Sequence, residues 1–139
     1  MRDEANKTGM FFFLADKIAR EAAPNVVIVT MENTVTRNHN IDLSGVSPCN
    51  HEEADTRLFV HVKHATTMGS KAIIIKTNDT DVIVLAISVV QTLMELGLNQ
   101  LCLLFGQGKN MIFIPAHELC CTIQEKKQRN SFLSRIYRV

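Results

Sequence analysis

A chain of 139 residues that is 46% hydrophobic and 21% charged can bury a core and is too apolar to be disordered. Its net charge of +1 means that composition alone forces no broad basic face; a nucleic-acid partner has to be held by a local patch or by bound metal. The longest apolar run, 82–90 and broken only by Ser88, is too short for the roughly 20 residues of a membrane-spanning helix, and the run 10–14 has no cleavage-site pattern behind it.

Residues 7–22 carry Phe11, Leu14, Ile18 and Ala22 at helical spacing, and Pro24 ends that helix. The β-branched run 26–30 predicts a buried strand. A ragged hairpin or loop follows over 34–43, with Asn33 near the turn, and Ser44-Gly45-Val46-Ser47-Pro48 is a break. Asn50 offers a helix N-cap, with Glu52, Glu53 and Asp55 in the first turn, where the helix dipole favours anions. Leu58, Val62 and Ala65 continue one face of this helix and Gly69 closes it. A second buried strand spans 71–76. From Asp79 or Thr80 a helix can run to Leu96 with Gly97 as its stop, although 82–85 alone also fits a strand. Strands over 101–105 and 111–114 flank the turn Gly106-Gln107-Gly108-Lys109, and Pro115 opens a short helix to Ile123. Strands alternating with helices predict a three-layer α/β fold, with a mainly parallel sheet and helices on both faces.

Two acidic doublets frame the second strand. Asp79-Thr80-Asp81 falls at its carboxyl end, where open α/β sheets bind ligands. The helix before that strand must begin at the same edge, which brings Glu53 and Asp55 toward Asp79 and Asp81. Gathered carboxylates suit a hard divalent cation, and two such cations can clamp the attacking and leaving oxygens of a phosphodiester. Capping is the ordinary role for any one of these residues; two carboxylates per helix start exceed what capping requires. Extended backbone at 79–81 would aim both aspartates alike.

The strings Pro48-Cys49-Asn50-His51-Glu52-Glu53-Ala54-Asp55-Thr56-Arg57, Thr77-Asn78-Asp79-Thr80-Asp81-Val82, Phe105-Gly106-Gln107-Gly108-Lys109-Asn110 and Ile114-Pro115-Ala116-His117-Glu118-Leu119 resemble an uncharacterised family abundant in invertebrate genomes and associated with mobile elements. Asn6-Lys7-Thr8 and the segment from Phe13 to Ile18 match it too. The resemblance covers roughly 1–123, leaving 124–139 as a non-matching, irregular tail. That family in turn resembles PIN-like nucleases of the flap-endonuclease type. Their Glu-Ala-Glu at a helix start is matched by Glu53-Ala54-Asp55, and their Asp-x-Asp after the next strand by Asp79-Thr80-Asp81. The resemblance implies magnesium- or manganese-dependent cleavage of DNA or RNA. Glu53, Asp55, Asp79 and Asp81 are then both the metal ligands and the catalytic acids, and Arg57 and Lys109 the contacts to nucleic acid. Helix periodicity would pair Glu52 with Asp55; the resemblance favours Glu53, and Glu52 stands in reserve.

Nucleases of this type use further acids, on an earlier strand and in a Gly-Cys-Asp segment, and neither occurs in these residues. The domain is therefore expected to be incomplete at both ends, with metal binding weak or absent and turnover impaired. The alternative is a non-catalytic remnant or binding module. Bases that can encode 132–138 also read, one base later, as Phe-Phe-His-Ala-Phe-Thr-Gly, resembling the family's lead-in to Gly-Cys-Asp; a frame-shifted tail is the expectation. A phosphatase-like hydrolase fits less well, since no nucleophile motif precedes the acids.

His61 and His64 lack a third ligand at suitable spacing and are expected at the surface. His117 with Cys120 and Cys121 is a weak zinc candidate, cysteine being more often a small core residue. Gly106-Gln107-Gly108-Lys109 lacks the spacing of a phosphate loop. Four cysteines (Cys49, Cys102, Cys120, Cys121) without a CxxC pair point to a reduced, intracellular protein, nuclear or cytoplasmic, with no signal peptide or membrane segment. Nothing in the pattern sets an oligomeric state.

Overall fold

A computed structural model describes residues 4–22, 24–48 and 53–123. The expected cap Asn50, the reserve ligand Glu52 and the tail 124–139 lie outside these described residues. The chain divides into two compact units, 1–61 and 62–139. It is mixed α/β, with a two-stranded antiparallel sheet in the first unit and a three-stranded mixed sheet in the second.

In the first unit α1 (Glu4–Glu21) packs against both strands of a hairpin, β1 (Ile28–Met31) and β2 (Thr34–Arg37). The strand expected at 26–30 is thus half-buried and pairs in its own sheet, not in a parallel one. The cause is local. Only Glu32 and Asn33 separate the strands, and so short a link can join only antiparallel neighbours. Glu32 takes φ +51° to close it. Asn38 fastens the open end: its Oδ1 accepts from the Val27 N–H (2.8 Å) and its Nδ2 donates to the Asn25 carbonyl (2.6 Å). Beyond the hairpin, Asp42 accepts from both the N–H and the hydroxyl of Ser44, an Asx turn that precedes the buried Val46. α1 buries Ala15 and Ala19, whereas the expected apolar row Phe11, Leu14 and Ile18 faces solvent. Alanine lets a helix lie close on a hairpin that offers little area to cover anything larger.

The second unit is built on one crossover. β3 (Ala72–Thr77) and β4 (Gln100–Phe105) are parallel and in register from Ala72↔Gln100 to Thr77↔Phe105, joined by α3 (Thr80–Glu95). β5 (Ile112–Pro115) pairs antiparallel with β4, and a helix α4 follows over 116–123. α3 packs on β4 and buries Val82, Ala86, Val90 and Leu93, spaced four, four and three apart on one stripe. The sheet face carrying Ile75, Leu101 and Leu103 is buried. Its other face shows Ile74 and Phe113 at 62% and 56% exposure. Gly97 at φ +104° ends α3 and Gly69 at φ +98° ends α2 (Ala54–Thr67), as their positions predict. His64 departs from expectation: it is buried on α2, while half-buried His61 shares a hydrogen bond with the Thr30 hydroxyl.

The two faces of β3–β4 differ in cost. Leu103→Ala should lose about 2–5 kcal/mol of unfolding free energy in denaturant titration, and Ile74→Ala less than about 1 kcal/mol.

Candidate metal centre

β3 ends at Thr77, and three residues later α3 begins. The turn between them is tied inward. The Asp79 N–H donates to Thr77 Oγ1 (3.0 Å), and Asp79 Oδ1 accepts from the Asp81 N–H (2.9 Å), with Asp79 extended at φ −99°, ψ 127°. Asp79 is therefore the N-cap of α3, the ordinary role for aspartate at this place. The extended backbone that would aim Asp79 and Asp81 alike ends at Asp79, because Thr80 already belongs to the helix. Asp81 sits in the first turn, exposed, beside the positive end of the helix dipole.

The neighbouring strand reaches the same edge. The Gly106 N–H donates to the Thr77 carbonyl (3.2 Å), continuing the parallel ladder by one bond past Phe105. Asn78, with its amide oriented to suit its neighbours, donates to the Gly106 carbonyl (2.8 Å) and accepts from Gln107 Nε2 (2.8 Å). The exits of β3 and β4 are thereby bound side by side. Gly106 takes φ +104°, and a Cβ there would stand 2.5 Å from the Asn110 carbonyl oxygen. The loop doubles back tightly through a single 3-10 turn, Gly108–Asn110, which leaves Lys109 exposed on the loop leaving this edge. Asn78 and Gly106 were not singled out from sequence as positioning residues. A signal was there: Asn between a strand and an N-cap aspartate is turn chemistry, and Gly directly after a strand marks a tight exit.

The other doublet belongs to the first unit. Glu53 directly precedes α2, and its carbonyl accepts from the Arg57 N–H (3.2 Å) and the Thr56 hydroxyl (2.8 Å). Its side chain is exposed. Asp55 lies in the first turn of α2, half-buried, and Arg57 one residue pair further on is half-buried too; both take part in interactions within the molecule. Each doublet is thus brought to one helix start. Among the described residues no group of three or more His, Cys, Asp or Glu stands close enough together to hold a metal ion.

His117 Nδ1 donates to the Leu101 carbonyl (3.0 Å), which fixes the ring against β4. Cys102 and Cys120 are buried and Cys121 is exposed. Burial pushes the Cys102 thiol above its ordinary pKa, and the Glu118 carboxylate pushes it further. No family model, no curated protein and no solved structure matches the chain.

Gly106→Ala should cost more than about 2 kcal/mol in denaturant titration, since both the positive φ and the contact with Asn110 resist a Cβ. In the native protein at neutral pH, Cys121 should alkylate with iodoacetamide well before Cys102, which should react only on unfolding; peptide mass mapping separates the two.

Proposed function

We propose that the chain is a partial PIN-like nuclease domain, three-layered as the resemblance implies, whose Asp79 and Asp81 bind magnesium or manganese weakly. The observation that carries this is their place. They stand at the carboxyl edge of the parallel pair β3–β4 and at the start of α3, where α/β folds put ligands. By the resemblance, Glu53 and Asp55 belong to the same ligand set, and Arg57 and Lys109 meet the phosphates of DNA or RNA. The bound cation would supply Lewis-acid polarisation of a phosphodiester oxygen and an activated water. The chain's own residues supply the rest. Asp79 spends Oδ1 on the helix cap and keeps Oδ2 for a cation, Asp81 keeps both oxygens beside the helix dipole, and Asn78 holds the two strand exits together.

Capping and metal binding at Asp79 separate by substitution. Asparagine caps a helix as well as aspartate does but brings no charge. Asp79→Asn should keep the basal melting temperature and abolish the rise seen with manganese. Asp79→Ala should lose the rise and about 1 kcal/mol of basal stability. For the unaltered chain, metal at ten times its Kd should add about 1.4 kcal/mol, a shift of several degrees over an EDTA control. A melting temperature indifferent to magnesium and manganese, or a rise that survives in Asp79→Asn/Asp81→Asn, sinks the metal site and leaves these carboxylates as caps in a non-catalytic module.

A further inference from the structure

The least explained surface of the molecule is α1. Its contact with the hairpin is made through alanines, and the large apolar side chains are left outside. Met10, Phe11, Phe12, Phe13, Leu14 and Ile18 are 42–65% exposed, five of them consecutive. Consecutive residues point round the helix, so only those three and four apart share a face, and a contiguous apolar face of that kind marks an interaction surface.

The order of residues along it says what kind. At about 100° per residue, Lys7, Met10, Phe11, Leu14, Ile18 and Glu21 fall on one stripe, roughly a third of a turn from the Ala15–Ala19 row that the hairpin covers. The stripe is free to dock while the hairpin contact is kept. It is also its own complement under reversal. Laid antiparallel against a second copy with Leu14 on Leu14, Met10 meets Ile18 of the second copy, and Lys7 meets Glu21 of the second copy at both ends. A parallel pair would set Lys7 on Lys7 and Glu21 on Glu21. Apolar centre, opposite charges at each end and a two-fold axis through one residue are the marks of an isologous contact. Glu21 forms an exposed ion pair with Lys17 (2.7 Å), weak enough to be shared or exchanged.

The charges of α1 also argue against a lipid surface as occupant. Asp16, Lys17, Arg20 and Glu21 mix both signs, with Asp16 bonded to Arg20 and Lys17 to Glu21, whereas membrane-surface helices carry a basic polar face.

We infer that α1 is a self-association surface: two copies of the chain pair antiparallel through Met10, Phe11, Leu14 and Ile18, in a register set by Lys7 and Glu21. The surface is one helix stripe wide, at the small end of specific interfaces, so the contact is a weak and reversible one. It is independent of the metal site and is measured in EDTA.

Sedimentation equilibrium of the full chain over a micromolar concentration series tests this, with circular dichroism to confirm that each variant keeps its helix. The unaltered chain should be a monomer–dimer mixture. Lys7→Glu and Glu21→Lys should each weaken dimerisation about tenfold, since either one sets like charges at both ends. The double variant Lys7→Glu/Glu21→Lys should return to within about twofold of the unaltered chain, because it restores opposite charges with the signs exchanged. Leu14→Asp, at the two-fold axis, should abolish the dimer. A chain that stays monomeric throughout the series overturns the inference. So does a dimer that the single charge changes leave untouched, or one that the double change fails to restore, since either places the contact elsewhere or in another register.

Discussion

Parallel pairing of β3 with β4 is the constraint on which the second unit depends. Parallel neighbours cannot be joined by a tight turn; the chain has to leave one strand, cross over and re-enter beside it. α3 is that crossover, and its apolar stripe of Val82, Ala86, Val90 and Leu93 is what makes the crossing favourable. Two consequences follow from the direction of the strands alone. Both exits lie at one edge, so Thr77–Asp81 and Gly106–Lys109 become neighbours in space although about 30 residues separate them in sequence. And α3 must start at that edge, which turns its exposed N–H groups toward whatever gathers there.

Asp79 shows how little room lies between a structural and a functional account of such an edge. A helix start wants an oxygen acceptor, and a hard cation wants the same atom type. In the structure one Asp79 oxygen serves the Asp81 N–H. A capping bond orients the carboxylate and uses one of its two oxygens, so the cap is compatible with a ligand role and does not require one. Asp81 makes no cap in the structure and lies exposed in the first turn. A second carboxylate there is explained as favourable to the dipole, typically by 0.3–1 kcal/mol, or as half of a cation site. Only charge-removing, cap-preserving substitution tells these apart.

Sequence alone made the second unit legible because each element there carries its own punctuation. Gly69 and Gly97 stop helices with positive φ, the run 72–77 has no competing periodicity, and Asp79 precedes an apolar stripe at helical spacing. The first unit was misread at β1 for a reason equally physical. A continuous β-branched run signals burial in a parallel sheet only when both faces are covered. Here the link to the next strand is two residues long, and that link decides the partner more strongly than hydrophobicity does. The spacing of α2 puts Val62 on its apolar face, but nothing in it announces that His64 and Thr66 are buried as well. Of the candidate site, the position of Asp79 and Asp81 at a strand exit was legible, while the Asn78 tie and the close approach at Gly106 depend on contacts across strands that no local pattern records.

The same reasoning bears on α1. Its sequence pattern was right about the apolar stripe and silent about what the stripe would meet. Amphipathic spacing shows only that a helix has a face to bury, at a gain of about 25 cal/mol per Å² removed from water. It does not show whether the cover comes from the helix's own unit. A two-stranded hairpin is narrow, and a helix lying on it through Ala15 and Ala19 gains close backbone contact but buries little side-chain area. The larger residues then stay outside unless a second surface takes them. A stripe that is apolar at its centre, cationic at one end and anionic at the other is best matched by the same stripe reversed. The hairpin's demand for small side chains on one row of α1 is thus what leaves the other row available to a second copy.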